Sequence, residues 1–199
     1  MAKITHDEII EACLEGIEDS FNEYIRWSGG EWLWNAPEYL LTVNIAKKIA
    51  NIQKNKFITL EDNIKETLKT ANAKIKGKIS NKARPNGRSD IILWWANGTP
   101  RGIIEVKNAV FGFEKIKEDI NRIIELLKKD SSIEFGITTF YIDRHYESGN
   151  SKEKVQKKIE SIVDEIVKYV NPFSVYYDYK NIIDENIDAA FAVSIMIKR

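Results

Sequence analysis

The sequence has few of the residue types on which several classes of protein depend. Its 199 residues include one cysteine, two histidines and four prolines. The single cysteine, Cys13, excludes an intrachain disulfide and a thiolate zinc site. Cys13 falls on an apolar helical face and is predicted to be a core residue. No signal peptide and no apolar run long enough to span a bilayer is visible, which predicts a cytoplasmic protein without membrane contact.

The chain also has no net charge, because 30 lysines and arginines balance 30 aspartates and glutamates. There is therefore no overall attraction to nucleic acid or to an anionic membrane, and any nucleic-acid affinity must come from local patches. The length is typical of one domain, and no repeat or linker divides it. We predict a single domain, residues 1–199, in which residues 1–80 are mainly helical and residues 81–199 form a β-β-α-β-α-β-β core.

Two β-rich runs, residues 88–96 and 101–108, are joined by Asn97-Gly98, which is the strongest short-range signal for a hairpin. A two-residue type I′ turn would place Ala96 opposite Thr99. Counting back from that turn puts Asp90 opposite Glu105. The same count puts Arg88 opposite Lys107.

Like charges that face each other destabilise a sheet, and here two carboxylates and two cations do so. A divalent cation between Asp90 and Glu105 would convert repulsion into ligation, since Mg²⁺ prefers carboxylate oxygens. Lys107 would then lie beside a water molecule or a substrate phosphate. The alternative is a solvated strand face with diagonal charge pairing, because a slip of one residue in register separates the two carboxylates.

Asp90, a spacer of fourteen residues and Glu105-Val106-Lys107 resemble the core motif of the PD-(D/E)XK nuclease superfamily. In that motif an acidic residue on one strand is followed on the next strand by (D/E)-X-K. Ser89 stands where the family usually has proline. The resemblance extends from about Glu38 to Ile142.

The resemblance implies an α/β, restriction-endonuclease-like fold, in which a mixed sheet is flanked by helices and an N-terminal helical portion precedes it. It also implies Mg²⁺, for which Mn²⁺ can substitute, held by Asp90, Glu105, the Val106 carbonyl and Glu38. Lys107 would orient the attacking water. The implied activity is hydrolysis of DNA in restriction, anti-phage defence or repair. The alternatives are cleavage of RNA, or a non-catalytic protein of this fold that binds a partner protein.

Glu38 has two possible roles, which do not exclude each other. Asn35-x-x-Glu38 matches a capping signature at the start of a helix predicted over residues 35–52. In proteins resembling the superfamily, an acidic residue on this helix completes the metal site. Glu66, on a third helix predicted to begin at Thr59, is the other candidate for that carboxylate.

A basic segment precedes Asp90, with no acidic residue from Thr67 to Ser89. Such a segment suits contact with a phosphate backbone, although basic runs are more often solvated loops. The resemblance implies that the helix predicted over residues 114–129 also contributes a basic residue to substrate binding. The candidate substrate-binding residues are Lys76, Lys78, Lys82, Arg84, Arg88 and Arg122.

Three tryptophans, Trp27, Trp32 and Trp34, surround the turn between the first two helices. Packing between these helices is favoured over a platform for base stacking. A lone histidine at position 145, in a polar loop predicted over residues 143–151, is expected at the surface. A homodimer is left open, because no coiled-coil seam or dimer patch is evident.

Overall fold

The computed structural model describes residues 2–74 and 80–199, which form an α/β structure with one open, six-stranded mixed sheet and helices on both faces. The helices are α1 (His6–Ser28), α2 (Glu38–Asn51), α3 (Ile64–Thr70), α4 (Lys117–Leu127) and α5 (Ser151–Val170). The strands are β1 (Lys56–Asn63), β2 (Arg88–Trp95), β3 (Pro100–Lys107), β4 (Phe135–His145), β5 (Ser174–Asp184) and β6 (Asp188–Lys198). No helix of this part of the chain is long and apolar enough to cross a membrane.

The strand order is β1-β2-β3-β4-β6-β5, and β3 and β4 are the parallel pair. From Arg88 onward the elements follow the predicted β-β-α-β-α-β-β sequence. α4 supplies the crossover between β3 and β4, which parallel neighbours require. The apolar sequence of β4 is buried along almost its whole length, as expected for a strand covered on both faces.

One element was predicted wrongly. The third helix does not begin at Thr59, because residues 56–63 form β1 and pair with β2, with Thr59 opposite Ile92. The helix begins five residues later, at Ile64, after Asn63, whose side chain accepts hydrogen bonds from the backbone N–H groups of Lys65 and Glu66. Residues 1–80 are therefore not purely helical.

Two apolar layers enclose the sheet. α1 and α2 cover one face, where Cys13 is fully buried and burial raises the pKa of its thiol to about 12. α3, α4 and α5 cover the other face. In the β2–β3 hairpin, Ile91 belongs to the first layer and Ile92 to the second, so both faces of the hairpin are core. The predicted core position of Cys13 is confirmed.

The tryptophan turn is only partly a packing element. Leu33 is buried and Trp32 packs against the core beneath α1 and α2, whereas Trp27 and Trp34 are 60% and 51% exposed. Packing was thus the wrong prediction for these two side chains. A short 3₁₀ turn at Leu33–Asn35 places Leu33 inward and leaves Trp34 outside.

The hairpin turn also differs from the prediction. Gly98 has φ of +82°, its N–H donates to the Trp95 carbonyl, and the Trp95 N–H donates to Thr99. This is a longer turn with a glycine bulge rather than a type I′ turn. Arg101 is an extra residue in β3, so pairing returns to the predicted register at Leu93 and Gly102.

Candidate functional site

Strands β2 and β3 stop pairing at the position of the motif. Their last paired residues are Ile91 and Ile104, after which the Asp90 carboxylate accepts the backbone N–H of Val106 at 2.6 Å. The side chain thus takes the place of a backbone partner. The β2–β3 ladder therefore includes neither of the predicted oppositions, Asp90 with Glu105 or Arg88 with Lys107. Because the strands separate here, side chains from the helices reach the space between them.

Glu105 lies at the base of this space and is 1% exposed. Ser89 Oγ donates to one carboxylate oxygen at 2.9 Å, and the Arg122 guanidinium forms an ion pair with the other. Burial, with the nearby Asp90 carboxylate adding to it, raises the pKa of Glu105 to about 8 even though Arg122 opposes the shift. Burial likewise raises the pKa of Asp90 to about 6.

Lys107 lies at the end of β3 and contacts two carboxylates. Its Nζ is 3.0 Å from Glu38 Oε1 and 3.5 Å from Asp119 Oδ2. Burial disfavours the charged form of Lys107, but the surrounding carboxylates outweigh burial and raise its pKa. Lys107 is therefore a cation at neutral pH, and its ammonium group is held between Glu38 and Asp119.

Glu38 is not a capping residue of the predicted kind. α2 begins at Glu38 itself, after Pro37, and the Asn35 side chain donates to Glu31 instead. Glu38 Oε2 accepts the backbone N–H of Asn108 at 3.1 Å, while its other oxygen binds Lys107. The capping interpretation is wrong, and the carboxylate points at the motif.

The other candidate for a third carboxylate, Glu66, is remote from this network. Its side chain is exposed on α3 and pairs with Lys69 one turn later. Of the two acidic residues considered from sequence, Glu38 is the one that contacts the motif.

Sequence reasoning missed Asp119, which lies in the first turn of α4 and is 4% exposed. Burial raises its pKa, although Lys107 and Arg122 counteract the shift. Its Oδ2 atom has an ion-pair contact with Lys107 but no hydrogen bond within the described part of the chain. The available signal was an aspartate three residues after Ile116, at a position where the amphipathic pattern expects an apolar side chain.

The basic residues predicted to bind substrate are dispersed. Lys82 is exposed, and Arg84 is exposed but paired with Glu118. Arg88 is exposed, and its carbonyl accepts from Arg122 at 3.3 Å. Arg122 is buried against Glu105 and Asp119 and presents no guanidinium to solvent. Lys76 and Lys78 lie outside the described residues.

The donor set partly fits a hard divalent cation. Four carboxylates (Glu38, Asp90, Glu105 and Asp119) meet two cations (Lys107 and Arg122), so full ionisation would leave an excess of two negative charges. Within residues 2–74 and 80–199, however, no three His, Cys, Asp or Glu side chains are arranged to hold a metal directly. Both oxygens of Glu105 are already engaged. A metal bound to Glu105 would therefore share that carboxylate with Ser89 and Arg122 or displace Arg122.

Comparison with known proteins finds no match to this chain among protein-family models, curated proteins or solved structures.

Proposed function

We propose that the chain is a Mg²⁺-dependent nuclease of the PD-(D/E)XK type, with a restriction-endonuclease-like core, and that its substrate is DNA. The observation that supports this proposal is the convergence of Asp90, Glu105 and Lys107 at the point where β2 and β3 separate. Glu38 reaches the same place from α2 by binding Lys107. Two carboxylates with raised pKa beside a fixed ammonium form an arrangement more typical of a catalytic site than of a structural ion pair.

In this proposal Asp90 and Glu105 hold the metal, with Glu38 and the Val106 carbonyl as further ligands. When bound, the ion supplies Lewis-acid stabilisation of the charge that develops on the phosphate. Lys107, fixed between Glu38 and Asp119, orients a water molecule for in-line attack and stabilises negative charge on the phosphoryl oxygens. The Asp119 carboxylate accepts Arg122 when Arg122 leaves Glu105, since the two already lie 3.6 Å apart.

A second candidate is a non-catalytic protein of the same fold that binds a partner protein. The observation that favours it is the ion pair between Arg122 and Glu105, which satisfies the buried carboxylate without any metal. The two candidates differ in one measurable property, which is metal binding at Asp90 and Glu105.

The first test is incubation of the protein with plasmid, single-stranded DNA and RNA in the presence of Mg²⁺, Mn²⁺ or EDTA. We expect cleavage that depends on the metal and falls by roughly a hundredfold or more in Lys107→Ala. Lys157→Ala is the matched control, because Lys157 is an exposed lysine paired with Glu153 on α5. Equal cleavage by both variants would remove Lys107 from the site.

Metal binding separates the two candidates when no cleavage is seen. Calorimetric titration with Mn²⁺ is expected to give binding by the wild-type protein that is lost in Asp90→Ala. No binding by the wild-type protein would favour the partner-binding candidate. A role in restriction, anti-phage defence or repair is proposed on the resemblance alone, and a homodimer stays a prediction that sedimentation can test.

A further inference from the structure

A cavity lies at the carboxyl end of β4, next to the turn that carries Trp34. Its volume is about 340 Å³, in the range of pockets that take small ligands. Ligands of α/β proteins commonly bind outside the carboxyl ends of parallel strands. β4 continues for five residues beyond Phe140, the partner of the last β3 residue, and the cavity lies at its end. The cavity is lined by Trp32, Trp34, Asp143, Arg144, His145 and Asp188.

The turn that carries Trp34 is held by Asn108, the residue directly after the strand that carries the motif. The Asn108 side-chain amide donates to the Leu33 carbonyl at 2.8 Å and to the Ala36 carbonyl at 3.0 Å. Asn108 directly follows Lys107, and its backbone N–H binds Glu38. One residue thus anchors both the turn that presents the exposed indole and the carboxylate of the candidate metal site.

The charges around the cavity disfavour a phosphate. Two carboxylates, Asp143 and Asp188, line it, and His145 Nδ1 lies 2.9 Å from Asp188. The guanidinium of Arg144 is stacked 3.6 Å from the centre of the partly exposed Phe111 ring. Aromatic and guanidinium planes beside polar side chains suit an uncharged, planar group with hydrogen-bonding edges. A nucleobase has these properties.

We propose that this cavity takes an unpaired nucleobase stacked on Trp34, which makes single-stranded DNA the preferred substrate of the neighbouring site. The inference rests on the proposed nuclease function. A base within a duplex has both faces covered, so stacking on a side chain requires an unpaired base. Two of the cations predicted to contact the phosphates of a duplex are not free to do so. Arg122 is buried, and Arg84 is paired with Glu118.

The test measures binding without turnover, in EDTA, by the fluorescence anisotropy of a labelled oligothymidylate and of a duplex of equal length. We expect the single strand to bind more tightly, and Trp34→Ala to weaken that binding by roughly fivefold to a hundredfold. Trp34→Phe should retain most of the affinity, because an aromatic face remains. Tyr176→Ala is the control, since Tyr176 is similarly exposed but lies on the outer strand β5.

Intrinsic fluorescence provides a readout that a purely structural role of Trp34 would not change. The protein has five tryptophans, and stacking should quench the exposed Trp34. Trp34→Phe should therefore bind the single strand with a much smaller decrease in tryptophan fluorescence than the wild-type protein shows. Equal thermal melting of wild type and variants would show that the fold is intact.

The outcomes separate this inference from the proposed nuclease function. Single-strand binding that depends on Trp34, with neither metal-dependent cleavage nor Mn²⁺ binding, would support the pocket and overturn the nuclease. Metal-dependent cleavage with equal affinity for duplex and single strand, or with no effect of Trp34→Ala, would overturn the pocket alone. Loss of binding in Tyr176→Ala instead would move the site to the other edge of the sheet and also overturn the inference.

Discussion

At the scale of single residues, Glu105 shows how the fold accommodates a buried acidic side chain. The carboxylate is almost fully buried and is balanced by one hydroxyl and one guanidinium. Removing one partner of a buried ion pair leaves an uncompensated charge, which is usually strongly destabilising. The same balance means that the proposed metal would compete with Arg122 for Glu105.

The pH dependence of stability follows from this burial. The pKa of Glu105 rises from an ordinary 4.5 to about 8 in the folded protein. Between these values the folded state binds more protons than the unfolded state, so the free energy of unfolding should decrease as pH rises. Asp90, whose pKa rises from 3.8 to about 6, acts in the same direction over the lower part of the range. Urea denaturation across the window measures the slope.

The variant Glu105→Gln should flatten this slope above about pH 6, where Asp90 no longer contributes. Glu114→Gln is the control, because Glu114 is exposed at the start of the segment before α4 and should leave the slope unchanged. A wild-type stability that is constant or increases across the window would contradict the raised pKa of Glu105.

Single residues also show how far the sequence could define the site. Asp90, Glu105 and Lys107 could be selected because their spacing resembles a family motif, although β2 and β3 no longer pair at these residues. Glu38 could be named but not given one role, since the capping signature was equally consistent with the local sequence. Asp119 could not be found in this way, because its contact with Lys107 depends on how α4 packs on the sheet.

At the scale of elements, the crossing of α1 and α2 positions Glu38. A Cβ atom added to Gly16 would lie 2.5 Å from the Ile45 Cα, so the two helices approach too closely for a larger residue. Gly16→Ala should force the helices apart and lower the free energy of unfolding by about 1–3 kcal/mol. Urea denaturation measures this loss.

A matched substitution distinguishes crowding from a general effect of replacing glycine. A Cβ atom at Gly112 would have no neighbour within 4 Å, and Gly112→Ala should leave stability nearly unchanged. Equal effects of the two substitutions would mean that helix contact at Gly16 does not limit stability. We also expect Gly16→Ala to weaken metal binding, because α2 carries Glu38.

The errors in element prediction have one common cause, which is that local signals were outweighed by pairing across the sheet. Thr59 and the acidic residues after it look like a helix start, but Thr59 lies in a strand that pairs with β2. Asn97-Gly98 indicates a turn correctly, whereas the turn type depends on the bulge at Arg101. Exposure of Trp34 depends on the hydrogen bonds that Asn108 makes, and these join residues far apart in sequence.

At the scale of the whole molecule, zero net charge limits how DNA can be bound. Proteins that bind through phosphate contacts release counterions, so their affinity falls steeply with salt, with a slope of about −0.7 per phosphate contact for single strands. Several cations in the described residues are already committed, among them Lys107, Arg84 and Arg122. The proposed stacking on Trp34 would add affinity without releasing counterions.

We therefore expect a shallow salt dependence for oligothymidylate binding, with a slope corresponding to about one to three phosphate contacts. Lys82→Ala should reduce that slope by about 0.7 if the exposed Lys82 contacts a phosphate, and Lys157→Ala should not change it. Anisotropy titrations in EDTA over a range of salt concentrations provide the measurement. A steep slope together with equal binding of duplex would instead identify the basic segment before Asp90 as the main contact, because only many phosphate contacts produce such a dependence.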